Sequence, residues 1–273
     1  MKDFDITLLK KLYKPDPKSH KGDNGKVLII GGSKLFHAAS LWPLQTASKI
    51  VDMVFYASVP ENNEIVLHEK ELWRNGIVIP REKVDDYMQE ADAILIGPGL
   101  PRENGMEEGD DNTKMLTEKL LKAYPTKRWV IDGGSLQTID PLLIPSNAIL
   151  TPHHQEFKTL FGLEPTPENA KEMAKKHNCV VLLKGPTDAI ASPTESVQVS
   201  GGNAGMTKGG TGDVLAGLTA SLYAQNEDPF LVASSASYIN KKAGESLAEK
   251  VGPYFNASDL AEEIPHVMKK LLF

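Results

Sequence analysis

The chain has 273 residues, 41% of them hydrophobic and 24% charged, with 36 acidic against 30 basic residues for a net charge of −6. That length can bury a full α/β core, and the acidic balance argues against nucleic acid or an anionic membrane surface as partner, because both select a basic face. A single cysteine excludes a disulfide framework, no apolar run approaches the ~20 residues that span a bilayer, and Asp3 and Asp5 are acidic too early for a targeting peptide, so a cytoplasmic protein is expected.

In chain order, short apolar runs alternate with longer helix-compatible segments. Strands are predicted over Lys26–Ile30, Met53–Val59, Ala93–Ile96, Trp129–Asp132, Ala148–Leu150 and Val180–Lys184. None alternates cleanly between apolar and polar residues, as expected of strands covered on both faces. Helices are predicted over Ser40–Ile50, Thr113–Ala123, Glu168–His177 and Asp213–Ala224, with Thr166 and Pro167 starting the third. Cys179, beside the apolar run Val180–Leu183, reads as a core residue. Asp188–Ser192 and Ser196–Ser200 flank Pro193-Thr194-Glu195 and read as an antiparallel hairpin on the sheet's edge. The acidic stretch Glu107–Asp111 reads as a solvated loop, since it lacks the spacing of a calcium loop. No repeat, low-complexity tract or linker divides the chain. Residues 1–273 are therefore expected to form one α/β domain, a mostly parallel sheet with helices on both faces.

Open parallel sheets bind ligands beyond the carboxyl ends of their strands. The segments at those ends are Gly31-Gly32-Ser33, Gly97-Pro98-Gly99-Leu100, Gly133-Gly134-Ser135, Thr151–Glu156 and Lys184–Asp188. Such a cleft, lined largely by backbone, suits a large phosphate-bearing ligand.

The most informative stretch is Gly202–Asp213, containing Gly209-Gly210-Thr211-Gly212-Asp213 and running straight into the last predicted helix. Glycine lets backbone approach a ligand closely, and the first free N–H groups of a helix attract anions. A carboxylate beside such a cradle repels phosphate unless it has another task, such as taking a proton from an attacking hydroxyl. Asp213 as a plain helix cap is the alternative. The pattern is not a P-loop, since no Lys-Ser or Lys-Thr pair follows at the required spacing. Nor is it a dinucleotide fingerprint, because the third small position is Leu215. Without further information, His153 reads as a surface histidine, and Lys184 can be a lysine whose stem runs along the sheet end.

Taken together, His20-Lys21-Gly22, Gly31-Gly32-Ser33, Gly97-Pro98-Gly99-Leu100, Thr151-Pro152-His153, Lys184-Gly185 and Gly209–Asp213 resemble the ADP/ATP-dependent NAD(P)H-hydrate dehydratases of the ribokinase-like superfamily. The resemblance covers roughly residues 20–265. It implies a ribokinase-like three-layer sandwich and a repair reaction: a nucleotide phosphorylates the ring hydroxyl of hydrated NADH or NADPH, and phosphate then leaves. Asp213 would be the base, with the amides of Gly210, Thr211 and Gly212 holding the transferring phosphate. Lys184, Gly185, Pro186, Thr187, Asp188 and Gly212 would contact ADP or ATP; Ala39, Gly97, Gly99, His153 and Asp213 would line the hydrate pocket. Mg2+ would bridge the nucleotide phosphates, with no protein metal ligand assigned. A homo-oligomer, a tetramer, is also implied.

The chain departs from the family pattern at Ala38-Ala39, at Asp132-Gly133-Gly134-Ser135 and at His154-Gln155-Glu156. These changes touch substrate choice more than the phosphate cradle. The competing readings are a small-molecule kinase on the same fold, which needs the same base, and a non-catalytic nucleotide sensor, for which Asp213 would serve no purpose.

Overall fold

A computed structural model of the chain describes residues 1–69, 75–102 and 105–273. Among these, strands β1 (Lys2–Asp3), β2 (Lys26–Ile30), β3 (Met53–Ala57), β4 (Ile77–Ile79), β5 (Ala93–Ile96), β6 (Arg128–Ile131), β7 (Ile149–Leu150), β8 (Val180–Leu183), β9 (Thr187–Ala191) and β10 (Ser196–Ser200) form one sheet. The strand order is β1-β10-β9-β8-β7-β6-β5-β2-β3-β4. From β8 to β4 every neighbouring pair is parallel. Strands β9 and β10 run antiparallel, as the hairpin reading requires. The hairpin is not the outermost element, however: β1 pairs in parallel outside β10.

Helices α1 (His37–Ala47), α2 (Pro60–Glu69), α3 (Val84–Met88), α4 (Thr113–Ala123), α5 (Gly133–Leu136), α6 (His154–Phe161), α7 (Pro167–His177), α8 (Thr211–Gln225), α9 (Pro229–Val251) and α10 (Ala257–Leu272) complete the chain. The period of two along each strand divides the core into two layers. Val27, Ile29, Leu95, Val130 and Leu182 pack against α1, α8, α9 and α10 through Leu44, Leu218, Ile239 and Ile264. The alternate residues Leu28, Ile30, Ile94, Ile96 and Val181 face Leu120 of α4, Phe157 of α6 and Met173 of α7. Strands buried on both faces explain why the sequence shows apolar runs rather than alternation. Cys179 is fully buried in the second layer.

The acidic loop differs from expectation. Arg81 donates to the carbonyls of Ala57 (2.7 Å) and Gly31 (3.2 Å) at the ends of β3 and β2, and pairs with Asp111 at 2.6 Å. The Lys34 amide donates to Asp110 at 2.9 Å. Part of the stretch read as solvated is thus tied to the loops above the sheet. His20-Lys21-Gly22 lies at the opposite end, in a turn before β2 held by Asp23 and by Asp52 at the start of β3.

Candidate functional site

The carboxyl ends of β2, β5, β6, β7 and β8 converge on the N-terminus of α8. Gly210 caps that helix with φ at 94°, and a Cβ there would strike the Trp42 ring, so both backbone and packing demand glycine. Gly212, two residues on, has no positive φ. A side chain at 212 would meet only the Lys184 ammonium, 3.3 Å from the Cβ position. What matters at 212 is therefore open space beside that ammonium and not a left-handed backbone. The Thr211 amide reaches the Lys208 carbonyl at 3.4 Å, and its hydroxyl turns back to the carbonyls of Met206 (2.6 Å) and Lys208 (2.9 Å). The amides of Gly210, Gly212 and Asp213 have no acceptor on another residue's backbone among the described residues. With the helix dipole behind them, they form the anion-seeking end of the site.

Lys184, just past β8, is the centre of a charge cluster. Its ammonium lies 2.9 Å from Asp132 and 3.8 Å from Glu156. Asp132, just past β6, also accepts from the Thr151 hydroxyl at 2.7 Å. Asp213 makes no ion pair with that ammonium within 4.0 Å, yet its charge is felt there as a third carboxyl. Burial opposes the Lys184 charge, but Asp132, Glu156 and Asp213 outweigh it and hold its pKa above the ordinary lysine value. Glu156 and Asp213 shift because of burial and the same cluster. Burial, with the repulsion of Asp132, pushes Glu156 up to about 7 against the pull of Lys184. Asp213 rises well above the usual carboxylate range for the same reasons, burial first and the Asp132 charge second. Burial and mutual repulsion thus keep protons on Glu156 and Asp213 to higher pH.

His153 is placed by a local job. Its Nδ1 accepts from the amides of Gln155 (3.1 Å) and Glu156 (3.2 Å), while Glu156 accepts from the His153 amide at 2.9 Å. This reciprocal box starts α6. An Nδ1 that accepts two N–H groups carries no proton, so the ring is neutral and offers its proton at Nε2. Burial and the nearby Lys184 charge lower the His153 pKa in agreement.

Gly97 and Gly99 close the other side. With φ at 119°, a Cβ on Gly97 would collide with the Asp132 carbonyl; with φ at 72°, one on Gly99 would press on the Phe36 carbonyl and the Ala39 methyl. Close approach thus brings the loops after β5 and β6 and the start of α1 together, with Ala39 and both glycines in one wall. Pro43 has no N–H to give the Ala39 carbonyl, which is left without its α-helical donor.

Toward α9, a cavity of about 530 Å3 is lined by Lys184, Gly185, Pro186, Asp188 and Gly212, five of the residues expected at the nucleotide. Thr187 does not line it; its hydroxyl meets Ser200 at 3.2 Å. The Asp188 carboxylate is already engaged, accepting from the Gly185 amide (2.9 Å) and the Ser237 hydroxyl (2.7 Å) beside Lys241 at 3.3 Å. It shapes the β8–β9 turn. The members that sequence reasoning missed are Asp132 and Glu156 as partners of Lys184, and Asn240 and Lys241 of α9 in the cavity wall. A carboxylate closing an apolar strand was the available signal for Asp132. No three His, Cys, Asp or Glu side chains group to hold a metal among the described residues.

A family model described as NAD(P)H-hydrate dehydratase matches residues 27–266. An ADP-dependent (S)-NAD(P)H-hydrate dehydratase of Cenarchaeum symbiosum is 34% identical over 270 residues, covering 92% of this chain and 91% of that protein. A bifunctional NAD(P)H-hydrate repair enzyme of Methanocaldococcus jannaschii is 39% identical over 269 residues, covering 96% of this chain but 51% of its own length. The chain thus spans about half of such bifunctional relatives. The crystal structure of an ADP/ATP-dependent NAD(P)H-hydrate dehydratase from Bacillus subtilis, crystallised with ATP and Mg2+, superposes with a TM-score of 0.83 at 24% identity, covering 99% of this chain and 98% of that one. A hydroxyethylthiazole kinase from Pyrococcus horikoshii shares the fold more distantly, with a TM-score of 0.59 at 16% identity and 97% and 92% coverage.

Proposed function

The chain belongs to the NAD(P)H-hydrate dehydratase family, and from that premise we propose that it restores hydrated NADH and NADPH by nucleotide-driven dehydration, with ADP the favoured donor and ATP the alternative. The observation that supports the reading is Asp213 in the first turn of α8, next to Gly212 of the cavity wall and within the electrostatic reach of Lys184, which lines the same cavity. A donor in the cavity directs its terminal phosphate to the amides of Gly212 and Asp213. A hydrate on the other side presents its ring hydroxyl to the Asp213 carboxylate.

Asp213 takes the hydroxyl proton as the oxygen attacks the terminal phosphorus, and the bond to the departing nucleotide breaks. ADP yields AMP. Hydroxide leaves poorly and phosphate well, so the lone pair of the ring nitrogen then expels phosphate, and loss of the adjacent ring proton restores the double bond. The raised pKa of Asp213 makes its ionised form a stronger base. The amides and the Lys184 ammonium meet the charge that develops on the phosphoryl oxygens.

Mg2+ fits as a companion of the donor. Among the described residues no three-ligand protein site exists, and Mg2+ commonly keeps water and phosphate oxygens as ligands. The surplus of carboxylates around Lys184 suits a cation-bearing nucleotide. When bound, the ion neutralises phosphate charge. No helix among the described residues is long and apolar enough to cross a membrane. A cytoplasmic place of work is part of the proposal and rests on the composition and the single cysteine. A homotetramer follows from the resemblance and is tested by light scattering.

The deciding experiment mixes protein, hydrated NADH, ADP and Mg2+, then follows reduced-nicotinamide absorbance and free phosphate together. One phosphate per NADH regenerated supports the repair reaction. No NADH with either ADP or ATP, alongside a stable phosphoester formed from a small alcohol, would replace it with the kinase reading.

A further inference from the structure

Helix α9 turns one face to the β8–β9 turn. Ser237 donates to Asp188 at 2.7 Å, and Lys241 donates to the carbonyls of Gly185 (3.0 Å) and Pro186 (3.1 Å). One turn further on, the Gly244 carbonyl accepts from Asn203 at 2.6 Å. Asn240 sits on this same face between Ser237 and Lys241, 5% exposed, in the wall of the cavity that runs from the phosphate cradle. Ser237, Lys241 and the Gly244 carbonyl are engaged, yet the Asn240 Oδ1 is buried with no hydrogen-bond partner among the described residues. Of the unpartnered side chains of α9, which include Ser234 and Ser235, it is the one in the cavity wall. Buried polar groups in folded proteins are nearly always paired, so an unpaired one in a cavity wall calls for a ligand.

Resting on the donor-site reading above, we propose that Asn240 recognises the adenine base of the donor and makes the enzyme select adenine over guanine nucleotides. The phosphate end of the cavity is fixed by Gly212 and Lys184, so the base belongs at a neutral part of the wall. There Leu215 and the Met206 thioether supply apolar surface for a flat ring, and the carboxamide supplies the polar handle. An asparagine amide has one accepting and one donating end, and a half-turn about χ2 exchanges them. Adenine carries its 6-amino donor beside the N7 acceptor, so both ends are satisfied at once. Guanine offers two acceptors, O6 and N7, on that edge. The amide can donate to one of them only, and its oxygen then faces the other.

The test is calorimetric titration with ADP and with GDP, Mg2+ present and no hydrate. Wild-type protein should prefer ADP by about 10–100-fold, the discrimination typical of one bidentate contact. Asn240→Ala should lower ADP affinity about 10-fold, leave GDP affinity nearly unchanged, and so flatten the preference. Asn240→Ser, which keeps a polar group but not the paired ends, should do the same. An unchanged ADP:GDP ratio in a folded variant, by circular dichroism, overturns the proposal. The proposal also falls if wild-type protein shows no preference. Because no turnover is involved, a protein that binds ADP selectively through Asn240 but never regenerates NADH would refute the repair reaction and leave this inference standing.

Discussion

The Lys184 charge is felt by three carboxyl groups, and two of them, Asp213 and Glu156, hold their protons to higher pH than usual. Asp213 faces the cradle. Asp213→Asn keeps the shape and removes the base, so turnover should fall by about 10²–10⁴-fold. ADP affinity, measured by calorimetry, should hold or tighten once a charge near the phosphates is gone; turnover near the wild-type level would deny Asp213 its role. Glu156 is the cluster's proton store. Its carboxyl is protonated in folded and unfolded chains alike below the ordinary value of 4.5, and in the folded chain it loses its proton only near 7. Its contribution to stability is therefore complete at low pH and is lost as pH rises through 7. Glu156→Gln imitates the protonated form. Relative to wild type, it should melt several degrees higher at pH 8.5 and nearly equally at pH 5, and a pH-independent difference would contradict the assignment. Asp213 and the glycines of the cradle were legible because they are contiguous and their chemistry is local. The pairing of Lys184 with Asp132 was not, because 52 residues separate them and only the adjacency of strand ends unites them. Asp188 and Thr187 were expected at the nucleotide through the family resemblance; the fold gives the Asp188 carboxylate Ser237 as a partner in the cavity wall and the Thr187 hydroxyl Ser200.

Helix α8 carries the cradle, and its setting depends on small residues. A Cβ at Gly217 would lie 2.6 Å from Pro43 Cα in α1, so the two helices touch backbone to backbone there. Alanine ordinarily strengthens a helix by about 1 kcal/mol over glycine. Here overpacking should win, and Gly217→Ala should lower the denaturation midpoint by the equivalent of about 1–3 kcal/mol. A variant as stable as wild type would show that α1 can withdraw freely. At this scale the central strands and α4, α7 and α8 were readable, because runs buried on both faces and caps such as Thr166 leave plain marks. The two-residue β1 and three-residue β4 are too short to leave a pattern. Helix α9 hid for another reason: its buried face includes Ser234, Ser235, Ser237, Asn240 and Lys241, which blur the apolar stripe that identifies a helix. Helix α10 carries a mark of its own in the sequence, the Asn256–Asp259 capping box at its start.

For the whole molecule, one sheet gathers loops that are far apart in sequence onto the end of a single helix, so ligand binding and global stability are linked. ADP at 100 times its dissociation constant should stabilise the fold by about 2.7 kcal/mol. The lone cysteine gives this coupling a chemical readout. Cys179 is fully buried among the helices and strands of one layer, and burial pushes its thiol up to about 12, so the native protein offers almost no thiolate to an alkylating or disulfide reagent. Modification should wait for unfolding, with a rate that tracks the opened population, and saturating ADP should slow it by about 100-fold. Fast labelling of the folded protein would disprove this. If it holds, the natural chain is silent toward maleimides under native conditions. A cysteine introduced at the exposed Tyr254 would then be the one reactive thiol, ready for a fluorophore without first removing any residue of its own.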